Sequence, residues 1–168
     1  HSFLPVEGTS NVYEDEDGLQ LKLTVSSTTC TIKDDSKTVK TFAKMSSVPG
    51  TDVYGAWYLS SIADKNGNKI SFTFDSSYKP IGVSLVPNGS SAISYLTISY
   101  NSDNMPYLIW NSTSKDAIVF RYSSTATGSI STTSTKYLRE VVYAHGNSSV
   151  TATNWLNFYN SSSNTTNI

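Results

Sequence analysis

Four segments of the chain close on the same figure: a three-beat alternation of mostly apolar or aromatic residues, then a small polar turn opening on Asp, Asn or Ser. They are Ile70, Phe72 and Phe74 before Asp75-Ser76-Ser77; Leu96, Ile98 and Tyr100 before Asn101-Ser102-Asp103; Ile118, Phe120 and Tyr122 before Ser123-Ser124; and Trp155, Asn157 and Tyr159 before Asn160-Ser161-Ser162. Alternation at period two puts those side chains on one face of a strand and the polar turn sends the chain back, so the recurring unit is a strand with its turn. No amphipathic helical pattern competes with it. The five prolines, Pro5, Pro49, Pro80, Pro87 and Pro106, all fall at element edges or turns, where the missing amide breaks no ladder.

Read along the chain, Leu19 to Val25 alternates, Ser26 to Thr28 turns, Thr29 to Lys33 returns, and a third run spans Thr38 to Phe42 after Asp34-Asp35-Ser36. Ser46 to Asp52, with Pro49-Gly50, reads as a loop. The clearest hairpin runs from Trp57 to Asp75 around Asp64-Lys65-Asn66-Gly67-Asn68, where Asn66-Gly67 suits the positive φ of a tight primed turn. Ile81 to Leu85 and Ser94 to Tyr100 form the next, around Pro87-Asn88-Gly89-Ser90. Leu108 to Trp110 and Ala117 to Tyr122 form a compressed third around Asn111 to Asp116. A last unit runs through Leu138, Val141 and Tyr143, turns at His145-Gly146-Asn147 and returns from Val150 to Tyr159. Units begin roughly 22 to 31 residues apart, a spacing used by repeat architectures. The expectation is an all-β fold of about ten strands in consecutive antiparallel hairpins, forming one extended or curled sheet. Residues 1–168 are read as a single β-repeat domain: lead-in hairpins over 3–55, three to four hairpin repeats over 56–160 and a flexible tail over 161–168, with Ser123 to Thr135 a mobile stretch. His1-Ser2 is set aside as a cloning scar.

A chain of 168 residues can bury a core without crosslinks. A net charge of -1 with scattered basic residues gives phosphate backbones nothing to grip, so nucleic acid is not an expected partner. No apolar run is long enough to insert in a membrane as a helix. Charged residues make up 15% of the chain against roughly 25% in ordinary soluble domains, and the neutral polar surface this implies suits an extracellular setting. Cys30 lies in a period-two run with no basic neighbour, which makes it a small half-core hydrophobe rather than a reactive thiol.

The stretch from Trp57 to Asp75 resembles a unit of the Rhs/YD-repeat family: a leucine strand, a D-x-x-G-N turn at Asp64 to Asn68, and a closing aromatic followed by Asp at Phe74-Asp75. Asp15 to Leu19, Thr31 to Asp35 and Val39 to Phe42 resemble the lead-in found before the first repeat in large bacterial members. Tyr100-Asn101 and Tyr159-Asn160 keep the aromatic but carry Asn where that family prefers Asp. The resemblance covers about half the chain. It implies a structural and interaction segment of a secreted or cell-surface bacterial protein, whose partners are neighbouring repeats; exposed edges would favour an edge-to-edge dimer.

Catalytic groups are sparse. His145, in Ala-His-Gly-Asn, reads as a turn residue with unusual φ and no signposted partner. Glu7, Glu14, Asp52 and Glu140 are the carboxylates a glycosidase would draw on, and nothing in their spacing brings two together. The acidic run Glu14 to Asp17 before Gly18 superficially matches a calcium loop, yet lacks the further ligands at fixed spacing and reads as a solvated turn. No cofactor or metal is expected. The alternative function is a carbohydrate-binding module with sugar stacking on Trp110 and Trp155, joined by Trp57 and Tyr159, against the commoner use of strand aromatics in packing. Sequons at Asn88, Asn111, Asn147, Asn160 and Asn164 reflect the Asn and Ser content, and in a bacterial protein carry no glycan.

Overall fold

A computed structural model gives the structure of residues 2–45, 56–123 and 137–146. Twelve strands and no helix occur among them: β1 (Phe3–Pro5), β2 (Val12–Asp15), β3 (Lys22–Val25), β4 (Thr29–Lys33), β5 (Val39–Lys44), β6 (Trp57–Ala63), β7 (Lys69–Phe74), β8 (Pro80–Val86), β9 (Ile93–Tyr100), β10 (Pro106–Trp110), β11 (Asp116–Ser123) and β12 (Tyr137–His145). They lie in chain order in one open antiparallel sheet, as the alternation required. The loop at 46–52, the stretch 124–135, the returning strand from Val150 and the tail lie outside the described residues. By their contacts the residues fall into two compact units, 1–80 with 84–93, and 81–83 with 94–168.

In the first unit the registers build transverse rows. Val25, Cys30, Phe42 and Leu59 stand opposite one another across β3 to β6, and Leu23, Ile32, Lys40, Ile62 and Ile70 across β3 to β7. Between them runs a hydroxyl row of Thr24, Thr31, Thr41, Ser61 and Ser71. Successive residues point to opposite faces, so one face is mostly apolar and the other carries hydroxyls. A bulge between Thr41 and Phe42 leaves Ser60 without a partner in the ladder. Its hydroxyl donates to the Thr41 carbonyl at 3.0 Å, which satisfies a group the irregularity would otherwise expose. None of the described residues of this unit is fully buried.

The core lies in the second unit. Thr97, Trp110, Ala117 and Ala144 form one row across β9 to β12, and Ser99, Leu108, Val119 and Val142 the next. Trp110 faces the smallest apolar side chain available, Ala117, and Leu108, Trp110, Ala117 and Val119 are buried. Large opposite small across a ladder fills the layer without strain. On the other face Ile98, Ile109, Ile118 and Tyr143 align, beside the pair Phe120 and Val141. The aromatic beat read from the sequence, Ile118 and Phe120, therefore lies on the half-buried face, and the core takes the opposite phase. Packing on β11 follows Ala117 and Val119; Tyr122 is buried through a separate contact, its hydroxyl donating to the Pro106 carbonyl at 2.6 Å.

Two further corrections concern the first fifty residues. Phe3–Pro5 and Val12–Asp15 add a hairpin that acidic composition hid. The strand expected from Leu19 begins only at Lys22: the Leu19 amide donates to Asp15 Oδ2 at 2.6 Å and Gln20 has φ 54°, which together bend Leu19 to Leu21 out of extension. No helix of the described residues is long and apolar enough to cross a membrane.

Candidate functional site

The chemistry-bearing side chains cluster at the hairpin ends, and one turn is built four times. Asp34, Asp64, Asp75 and Asn101 each open a five-residue loop. The first residue's amide donates to the fifth's carbonyl at 2.9–3.1 Å, and the fourth residue's amide donates back to the first's carbonyl at 3.0–3.1 Å. The opening side chain's Oδ1 accepts the fifth residue's amide at 2.8–2.9 Å. It also accepts the third residue's amide, Asn66 at 2.8 Å, Ser77 at 2.8 Å and Asp103 at 3.1 Å, with the Ser36 amide likewise bonded to Asp34. The fourth position is left-handed every time: Lys37, Gly67, Tyr78 and Asn104, with φ between 60° and 85°. A short acceptor side chain at the first position thus replaces the backbone partners that the loop lacks, which is why Asp and Asn recur there. Asn66-Gly67 is part of this wider loop rather than a primed turn, with Gly67 alone at positive φ.

Three of these carboxylates are held below the ordinary Asp range by their hydrogen bonds: Asp34 chiefly by the Ser36 hydroxyl, Asp64 by the Asn68 amide group, Asp75 by the Lys79 backbone amide. Asn111 caps a loop one residue longer, accepting the Thr113 and Ser114 amides at 2.9 and 3.0 Å, and is itself buried. In the first unit two turns are joined. Asn68 Nδ2 donates to Asp64 Oδ2 at 2.8 Å while Asn68 Oδ1 accepts the Asn88 amide at 3.1 Å, and Gly67 lies so close to Asn88 that a Cβ there would come 3.0 Å from its Cγ. Aromatic packing holds the opposite end of β6 and β7, with Tyr58 4.6 Å from Phe74 and 5.5 Å from Tyr78 between ring centroids.

His145 has no positive φ, and the returning strand expected after it lies outside the described residues. His145 ends β12 directly opposite Asp116, and its Nδ1 lies 2.7 Å from Asp116 Oδ1. The Ser114 hydroxyl donates to Asp116 Oδ2, and Tyr143 also bonds to this carboxylate, so Asp116 is drawn down to about 2, most strongly by Ser114. Tyr143 is raised in turn by the same bond. The set contains Ser, His and Asp, but the carboxylate is the central member. A hydrolytic triad needs the imidazole between hydroxyl and carboxylate, so that it can take the hydroxyl proton; here Ser114 already donates to Asp116. The cluster ties the β10–β11 turn to the end of β12 and has no activated nucleophile.

Trp110 is 6% exposed, with Lys115 Nζ 5.5 Å from its ring centroid, and offers no open face for a sugar to stack on. Trp57 is half-buried opposite Lys44, whose Nζ lies 6.0 Å from the ring. Trp155 and Tyr159 lie outside the described residues, as does Asp52. Glu140 is paired with Arg121 at 2.6 Å, Glu7 lies in the β1–β2 turn, and Glu14 stands opposite Lys22 in the ladder. Around the acidic turn a polar cleft of about 590 Å³ mixes Glu14, Asp34 and Asp35 with Lys22, Lys33 and Lys37, and no group of three or more metal-ligating side chains occurs among the described residues. Burial pushes the Cys30 thiol up, in keeping with a packing role. Of the sequons, Asn88 is exposed, Asn111 is buried, and Asn147, Asn160 and Asn164 are outside the described residues.

No protein-family model matches the chain, and no curated protein is significantly similar to it.

Proposed function

We propose that this chain is a non-enzymatic structural and interaction segment of a secreted or cell-surface bacterial protein of the Rhs/YD-repeat type. The observation that carries the reading is the fourfold recurrence of one side-chain-capped turn, twice directly after an aromatic strand end, at Phe74-Asp75 and Tyr100-Asn101. Strands that pair with their chain neighbours, four of them followed by the same capped turn, extend by adding further copies without altering those already in place. Partners on this reading are neighbouring repeats of the same polypeptide, reached through the half-buried apolar face of each unit. The test is the full open reading frame that encodes this sequence, with the secreted fraction of its source probed by antibody to the chain. Tens of further strand-and-turn units and a signal in the secreted or surface fraction are expected. A frame holding no additional units, or a protein confined to the cytosol, would refute the proposal.

A further inference from the structure

The two Asn-Gly pairs, Asn66-Gly67 and Asn88-Gly89, occupy exposed hairpin tips in the first unit, and their backbones are held differently. The Gly67 amide donates to the Asp64 carbonyl at 3.1 Å and the Asn66 amide to Asp64 Oδ1 at 2.8 Å, so both nitrogens flanking Asn66 are engaged. In the second turn the closing bond runs from the Ser90 amide to the Pro87 carbonyl at 3.0 Å, and the Gly89 amide has no hydrogen-bond partner among the described residues. Gly67 packs against the Asn88 carboxamide, where a Cβ would come 3.0 Å from Asn88 Cγ, so the side chain rests on the neighbouring turn while the Gly89 amide beside it stays unbonded among the described residues.

We infer that Asn88 is a site of spontaneous deamidation and isoaspartate formation in the folded protein, while Asn66 is protected. The Gly89 amide nitrogen attacks Asn88 Cγ, forming an N–Cγ bond as the Cγ–Nδ2 bond breaks. Ammonia leaves with the proton released from the attacking amide, and water then opens the five-membered imide at either carbonyl to give Asp or isoaspartate. At Asn66 the same attack first requires Gly67 to give up its bond to Asp64, and that difference slows it roughly tenfold, the scale set by one net hydrogen bond. Conversion places a carboxylate against Gly67, and the isoaspartyl product lengthens the main chain where the Asn88 amide meets Asn68 Oδ1. The modification therefore loosens the contact between the β6–β7 and β8–β9 turns.

The experiment incubates the whole chain at neutral to mildly alkaline pH, folded and in urea, and follows both sites by peptide mapping with mass spectrometry and isoaspartate detection. In urea both Asn-Gly pairs convert at similar rates and supply the reference. In the folded chain Asn88 converts roughly tenfold faster than Asn66, and Asn88→Gln, whose longer side chain disfavours the imide, abolishes conversion at that tip. Retention of Asn88 for as long as Asn66 in the folded chain, or conversion of Asn66 at an equal or greater rate, would overturn the inference.

Discussion

Replacing Leu108 by Ala tests which face of the second unit is the core. Leu108 is 2% exposed and stands between Ser99 and Val119 in its row, with Val142 beyond. Truncation removes three methylene-sized groups from a site with no room to collapse, because its neighbours are held by the ladder on both sides; such losses cost about 3 kcal/mol. Ile109, the next residue, points to the other face among Ile98 and Ile118 and is only half-buried, so Ile109→Ala costs about 1 kcal/mol. With a urea dependence of about 1.5 kcal/mol per M for a unit of this size, the two midpoints fall by about 2 M and about 0.7 M respectively. Urea titration followed by tryptophan fluorescence reads this unit through buried Trp110, with Trp57→Phe as the background to silence the other described tryptophan. Equal losses, or a larger loss for Ile109→Ala, would show that the apolar face built on Ile98, Ile109 and Ile118 is the covered one, and the assignment of the core would be wrong.

Asp64→Asn retains the Oδ1 acceptor and leaves the Asn66 and Asn68 amides protected in hydrogen exchange, whereas Asp64→Ala exposes both to faster exchange; equal protection in the two variants would refute the capping role. Lys37→Gly relieves a left-handed backbone at an exposed position and raises the urea midpoint by the equivalent of up to about 1 kcal/mol. Tyr78→Gly lowers it despite the same relief, since the ring contact with Tyr58 is lost; a gain would show that the contact is idle. Asp34, Asp64, Asp75 and Asp116 all have folded-state values below the ordinary 3.8, so the unfolded chain takes up protons first as pH falls. The stability they supply is complete only above about pH 5 and is lost as the pH falls through the unfolded value of 3.8 toward the lower folded-state values, about 2 for Asp116. Urea midpoints measured across that range should fall on acidification, and Asp116→Asn should flatten the lower end.

Strand positions were readable because β-branched and aromatic residues alternate between turns whose first residue is a hydrogen-bond acceptor; from β4 onward the observed bounds differ from the sequence reading by a residue or two. What alternation could not supply was phase. On β11 both Ile118 with Phe120 and Ala117 with Val119 form a period-two apolar set, and only the neighbour Trp110, opposite Ala117, decides which is covered. The partnership of His145 with Asp116 was likewise invisible. The two lie 29 positions apart, and the bulge between Arg121 and Tyr122 shifts the pairing by one, so no counting along the chain finds it. A weak signal was present in the β10–β11 turn, where Asp116 closes a Ser/Thr-rich loop. β1 escaped notice because three residues ending in proline carry no period at all.

Because the twelve described strands neighbour one another in chain order, none of them waits for a distant segment. Loop-closure entropy is met in small steps, and contacts stay short in range. A chain emerging amino end first from a ribosome or a narrow export channel can therefore fold like a zip fastener. Each newly delivered strand finds its mate already seated, so synthesis and assembly can advance at one pace.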